Sequence, residues 1–296
     1  MKIDILFARI AVLAIPLALV VAPKAASAQE LLAPVADSAK TYSFDEPIAA
    51  PYVSAGESSS LPKPQTSAED LDVTWRKLPH RFLEDQKNMW LFPLKLAEGK
   101  HWLPTLLIVG GTAGFIVADP HIMPHVRETD SFHTFNRYMS STVSGAAIAV
   151  IPVGFYAISL LRHNTYDQGT GLLTGEAVLD DTILMIVMKA ASRRARPSDR
   201  PIQGPYNDTF YNSPTNSPFG KGSSFPSGHA MMGFSVATVF AERYKQHRWV
   251  PYVAYGLASV ISFARVTTGA HFPSDVFIGA TLGFAIAKFD VLRVRF

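Results

Sequence analysis

The sequence predicts an all-α protein, a bundle of six helices preceded by a signal peptide and a flexible linker. Three observations carry that reading. Six apolar segments, 102–118, 141–161, 177–191, 230–241, 249–264 and 276–289, are each long enough for a helix. None alternates apolar and polar residues as a half-exposed strand must. The stretches between them hold loop residues such as Asp119-Pro120, Asn164, Gly169 and Gly171.

In chain order, Lys2 and Arg9 precede an apolar run from Ile10 to Val21, and Ala26-Ser27-Ala28 comes after it. This pattern reads as an export signal over residues 1–28, with an uncleaved anchor helix as the alternative. Residues 29–70 are rich in Ala, Ser and Pro without sustained periodicity, which describes a disordered linker. Residues 71–100 mix charges with Trp75, Leu78, Phe82, Met89, Trp90, Leu91 and Phe92, an amphipathic helical lead-in whose apolar side is expected to pack on the core, with a membrane surface as the alternative. Residues 101–296 hold the six apolar segments and are expected to form one domain. Only the first two approach bilayer-spanning length, and the third carries Asp180, Asp181 and Lys189.

Composition narrows the function. Of 296 residues 48% are hydrophobic, and the mean hydropathy of +0.14 lies between a cytosolic enzyme and a protein that is nearly all membrane. A net charge of +3 suits anionic substrates or lipid headgroups, and the absence of a basic run with interleaved aromatics sets nucleic acid aside. With no cysteine, disulfides, thiolate catalysis and sulfur-ligated zinc are excluded.

Three short motifs carry candidate chemistry. At 3.6 residues per turn Lys189, Arg193 and Arg196 fall near one helical face before Pro197, where an anion would relieve their repulsion; a solvated positive helix end is the plain alternative. Phe225-Pro226-Ser227-Gly228-His229 precedes an apolar run and reads as a helix N-terminus. There Ser227 can cap, Gly228 lets backbone approach a ligand, and His229 can give a proton to a leaving oxygen; a capped helix with a packed histidine is the plain alternative. In Arg265-Val-Thr-Thr-Gly-Ala-His271-Phe-Pro-Ser-Asp275, Pro273 suits a first helical turn and Asp275 can reach back to one ring nitrogen of His271. His271 could then attack phosphorus while Arg265 neutralises developing charge; a polar loop whose aspartate stabilises a helix start is the alternative.

Together and in this order, the motifs resemble the phosphatidic acid phosphatase type 2 (PAP2) and vanadium haloperoxidase superfamily: Lys-x6-Arg-Pro, Pro-Ser-Gly-His, then Ser-Arg-x5-His-x3-Asp. One polar position departs, Ala264 standing where the family has serine. The resemblance implies a PAP2-like bundle and a metal-independent phosphatase without a cofactor. In it Lys189, Arg196, Ser227, Gly228 and Arg265 cradle the phosphate of a phosphomonoester or pyrophosphate. His229 is the acid, Asp275 orients His271, and a phosphohistidine is later hydrolysed by water that His229 activates. The expected partner is a phosphorylated lipid or polyprenyl compound, or a small phosphate ester, with the protein exported to the inner membrane or periplasm and its site facing the periplasm. A broad-specificity periplasmic acid phosphatase, a vanadate-dependent haloperoxidase and a non-catalytic membrane protein are the alternatives. An export signal with three crossings between it and Lys189 would turn the site inward, so the signal and an ordinary six-span plan disagree. The loop from Pro197 to Ser224, with Tyr206, Phe210, Tyr211 and Phe219, reads as a mobile lid or a surface loop.

Overall fold

A computed structural model describes residues 73–139, 141–215 and 222–293, and these are helices and loops, with no strand among the described residues. The expected signal peptide and linker, together with Phe219, lie outside the described residues. The helices are α1 (Leu78–Trp90), α2 (Phe92–Ala97), α3 (Trp102–Glu128), α4 (His133–Tyr138), α5 (Ser141–Leu161), α6 (Thr165–Ser192), α7 (Gly228–Arg243), α8 (Trp249–Thr267) and α9 (Pro273–Ala285). A π-helical segment, Ile286–Val291, extends α9. All six apolar segments are thus helical.

The boundaries of two differ from expectation. Asp119-Pro120 lies inside α3, which also holds Pro124. Asp119 is fully buried and held by contacts from other elements, so tertiary bonding rather than local propensity keeps this stretch helical. The third segment begins at Thr165, where the Asn164 side chain accepts hydrogen bonds from Tyr166 N and Asp167 N at 3.1 and 3.2 Å. Gly169 and Gly171 therefore fall within α6, where Gly171 lies against Tyr156 of α5. A glycine that weakens a helix alone is retained here by close helix packing.

The lead-in is also turned the other way from its expected use. α1 buries Arg81 and Asp85 and points Leu83 outward, 67% exposed, with Trp75 in the turn before it at 61% and Leu94 of α2 at 60%. From the expected stripe, Leu78 and Met89 pack beside the core. The reason lies on α6, which faces α1 with the buried carboxylates Glu176 and Asp180. Arg81 Nε donates to Glu176 Oε2 at 3.2 Å and Gln86 to Asp180 Oδ1 at 2.7 Å. Buried charge demands a polar partner, so the polar face of α1 turns inward.

α7 is central. Ala230, Met231, Phe234, Ala237 and Val239 reach all three apolar clusters of the core. Its approach to α9 depends on the absence of side chains: a Cβ on Gly283 would lie 2.0 Å from Met231 O, and one on Gly279 2.6 Å from Ser227 O. Outside this centre, three helical segments are long and apolar enough to cross a membrane: Trp102–Glu128, Asp130–Leu161 and Trp249–Thr267. Leu103, Leu107, Val117, Val153, Leu161, Tyr252 and Leu257 stand exposed on them. Charge-bearing helices inside and apolar helices outside suit an acyl-chain environment.

Candidate active site

Every expected site residue lies at one end of this bundle, where α3, α6 and α8 finish and α5, α7 and α9 begin. The first motif departs from its expected shape. α6 ends at Ser192, Arg193 takes the left-handed conformation at φ 41° and ψ 41°, and residues 194–196 are not helical, so Lys189, Arg193 and Arg196 do not share one helical face. Arg196 is extended at φ −82° and ψ 156°, as a residue before proline prefers. Ala195 N donates to Thr209 O at 2.7 Å and Ser224 N to Arg194 O at 2.8 Å, so these residues exchange helix bonds for loop bonds.

Lys189 nonetheless reaches the site. Its buried ammonium donates to Ser223 O. Burial, then the nearby Arg196 charge, push its pKa down to about 8 against the pull of Asp275. Arg196 donates from Nε to Gly222 O at 3.1 Å, and its backbone N–H is received by Asp199 Oδ2 at 2.8 Å. Arg127 of α3 clamps the next turn, its Nη1 donating to Pro197 O at 2.6 Å and Arg200 O at 2.7 Å.

Ser227 is the N-cap residue of α7, yet its hydroxyl makes no capping bond; Oγ is buried and has no hydrogen-bond partner. Its backbone N–H instead donates to Asp275 O at 2.9 Å, joining the second motif to the third. Gly228 has a packing reason to be glycine, since a Cβ there would lie 2.3 Å from Met185 Sδ. His229, half-buried on the first turn of α7, faces α5, where a Cβ on Gly145 would lie 3.2 Å from its Nε2.

Arg265 is fully buried at the end of α8, donates from Nη2 to Met139 O, and lies close enough to Arg196 for the two guanidiniums to repel. The Arg265 carbonyl accepts from Ala270 N and His271 N at 3.1 and 3.0 Å, which folds the loop back toward the site. Ala264 is fully buried, and its carbonyl accepts from Thr268 N and Oγ1. The His271 ring makes its hydrogen bond to backbone: Nδ1 is 2.7 Å from Ser224 O, whereas Asp275 Oδ2 stands 3.6 Å away, an ion-pair distance. A carbonyl only accepts, so Nδ1 carries the proton and Nε2 the lone pair. Burial foremost, with the charges of Lys189 and Arg196, pushes the His271 pKa down to about 3, so the ring is neutral at physiological pH. Burial alone would raise Asp275, but Arg194 and His271 more than reverse it and hold the carboxyl at about 2.

Two residues of this neighbourhood carry no motif. Arg194, 1% exposed, donates from Nη1 to Asp275 Oδ1 at 2.6 Å and from Nη2 to Asp119 Oδ2 at 2.7 Å. Its guanidinium lies 4.1 Å from the Phe272 ring centroid and 4.6 Å from that of Phe210. In the sequence Asp119 reads as a loop residue; the signal that could have found it is a lone carboxylate against a long apolar run, where ionised groups face the protein interior. The loop aromatics act as anchors in this arrangement: Tyr206 is buried and bonds Ile202 O at 2.6 Å, and Phe210 packs against Phe225. Tyr211 is exposed.

Parts of the chain are similar to known proteins. Residues 170–294 match the family model of the PAP2 superfamily. A lipid A 1-phosphatase of Porphyromonas gingivalis is 33% identical over 66 residues, which make up 22% of this chain and 15% of that protein's length. The crystal structure of the first transmembrane PAP2 type phosphatidylglycerolphosphate phosphatase from Bacillus subtilis shares 22% identity over 70% of this chain and 94% of that one, with a TM-score of 0.39.

Proposed function

With residues 170–294 assigned to the PAP2 superfamily, we propose that the chain is a membrane-bound, metal-independent phosphatase that hydrolyses the phosphate ester of a lipid through a phosphohistidine. The observation that carries the reading is His271, buried, neutral, with its Nδ1 proton committed to Ser224 O and its ring within electrostatic reach of Lys189 and Arg196. An imidazole so fixed presents one lone pair, on Nε2, beside fixed positive charge.

In the first step the Nε2 lone pair attacks phosphorus and the P–O bond to the lipid breaks. Protonated His229 gives its proton to the departing oxygen. Lys189, Arg196 and Arg265 carry the charge of the phosphoryl oxygens, helped by the N-terminal N–H groups of α7 and the unpartnered Ser227 hydroxyl. His229, now neutral, takes a proton from water, whose oxygen attacks phosphorus. The N–P bond breaks, inorganic phosphate leaves, and His271 recovers its lone pair.

The lipid part of the reading is supported by the exposed apolar faces of α3, α5 and α8 and by the activity of the similar Porphyromonas gingivalis protein, a lipid A 1-phosphatase. We assign the site to the periplasmic side. The test is phosphate release by the full chain in detergent with excess chelator, on lipid A 1-phosphate, phosphatidylglycerol phosphate, phosphatidic acid, polyprenyl pyrophosphate and an aryl phosphate. A lipid phosphate is expected to be preferred, orthovanadate to inhibit, and His271→Ala to abolish turnover. Loss of activity in chelator with return on adding magnesium overturns metal independence, and an active His271→Ala overturns the nucleophile.

A further inference from the structure

We propose that Arg194 and Asp119 are positioning residues for phosphoryl transfer, forming with Asp275 a buried triad of net charge minus one that faces the His271 ring as it becomes cationic. The proposal rests on the phosphohistidine reading above.

The geometry is closed on every side. Arg194 bonds Thr209 Oγ1 from Nε at 3.0 Å, Ser274 Oγ and Asp275 Oδ1 from Nη1 at 2.6 Å each, and Asp119 Oδ2 from Nη2 at 2.7 Å. Asp119 also accepts from Ser274 N at 3.2 Å and from the Ser274 hydroxyl. Asp275 Oδ2 accepts from Phe272 N at 2.8 Å. Arg194, Asp119, Ser274 and Asp275 are all essentially inaccessible to solvent. The guanidinium also lies over the Phe272 and Phe210 rings, contacts that add to its fixed position.

This arrangement answers an electrostatic difficulty. When Nε2 bonds to phosphorus while Nδ1 keeps its proton, the His271 ring gains a positive charge and holds it until the N–P bond breaks. Asp275, 3.6 Å from Nδ1, is the anion that meets this charge. Arg194 alone on Asp275 would leave a neutral pair and remove most of that help. Asp119 on the opposite prong of the guanidinium restores the negative charge, so the fork can hold Asp275 rigidly without cancelling it. Asp119 comes from α3 and Arg194 from the loop after α6, so two elements outside the third motif determine where its carboxylate sits.

The experiment uses the full chain in one detergent and compares wild type, Asp119→Asn and Arg194→Lys on phosphatidic acid and on an aryl phosphate, with active sites counted by orthovanadate binding. Asp119→Asn keeps the shape and removes the charge; Arg194→Lys keeps the charge and removes the fork, and serves the same test where Asp119→Asn does not fold. Both are expected to lower kcat per counted site roughly tenfold to a hundredfold, the loss typical when the partner of a reacting group is removed, with KM within about threefold of wild type. Trapped phosphoenzyme is expected to form more slowly by the same factor. A part that merely stabilises the fold predicts fewer counted sites, each with wild-type kcat, and that result overturns the proposal, as does a loss residing wholly in KM. A wild type that releases no phosphate overturns the phosphatase reading itself, and a His271→Ala that still releases it overturns the phosphohistidine on which the proposal rests.

Discussion

Lys189 offers a test with a calculable outcome. Its ammonium is buried at the end of α6, and its pKa is pushed down to about 8 by burial and by Arg196. The folded value lies below the ordinary 10.5, so between the two pH values the unfolded chain keeps a proton that the folded chain has lost. Stability therefore rises with pH across that window, and below it the empty folded site bears the whole cost of the charge, about 3 kcal/mol. An oxyanion in the cradle offsets that cost only while Lys189 is protonated. Sulfate keeps its dianionic charge throughout, so loss of the Lys189 proton should raise its inhibition constant against aryl phosphate hydrolysis about 25-fold from pH 7.5 to pH 9.5. In Lys189→Arg, whose cation does not titrate there, the constant should be nearly flat. A sulfate constant that stays within threefold in wild type, or that rises equally in Lys189→Arg, refutes the placement of Lys189 on the anion.

Asp275→Asn places an amide where both oxygens accept, and removes a charge 3.6 Å from Nδ1; at an effective dielectric near 20 that charge is worth at most about 5 kcal/mol, so kcat should fall by up to about a thousandfold, and retention of more than a tenth counts against its role. Arg81→Met leaves fully buried Glu176 without its cation and Val291 O without its donor, and should destabilise the fold by roughly 3–5 kcal/mol in denaturant titration; an unchanged midpoint refutes it. Gly283→Ala should cost about 1–3 kcal/mol because the new Cβ meets Met231 O, whereas Gly256→Ala, with nothing within 4 Å, should be neutral or stabilising; equal effects would refute the packing argument. The chain has no cysteine, so Ser198→Cys can be labelled alone, and an impermeant maleimide is expected to reach it from outside intact cells; labelling only after lysis would place the site on the inner face.

The apolar runs made all six bundle helices legible, because a buried or lipid-facing helix must be apolar along its length whatever surrounds it. Their limits were less so. Gly169 and Gly171 signal a break locally, and only Tyr156 packed against Gly171 makes a glycine the right residue inside α6. The direction in which α1 faces depends on Glu176 and Asp180, about 90 residues away, so its own periodicity pointed the wrong side inward. The three motifs were readable since each lies within a few residues of chain. Arg194 was hidden between two cations that fitted a pattern, and its partner Asp119 is 75 positions distant. Loss of helix after Ser192 turns Arg194 into the protein while Arg193 stays exposed, a difference that helical spacing cannot express.

The polarity of the bundle is set by where its charges stand. α6, α7 and α9 carry the reacting groups at their ends, and α6 also buries Glu176, Asp180 and Asp181. Such helices are costly against lipid, and the apolar α3, α5 and α8 stand on the outside instead. Because α3 finishes at the site, the chain before Trp102 and the site lie at opposite ends of α3. If α3 crosses the membrane, an export signal that sends residue 29 outward requires an inward site. A periplasmic site requires instead that residues 1–28 do something other than export the chain beyond them. The labelling of position 198 therefore decides the role of the N-terminal segment as well as the face of the site.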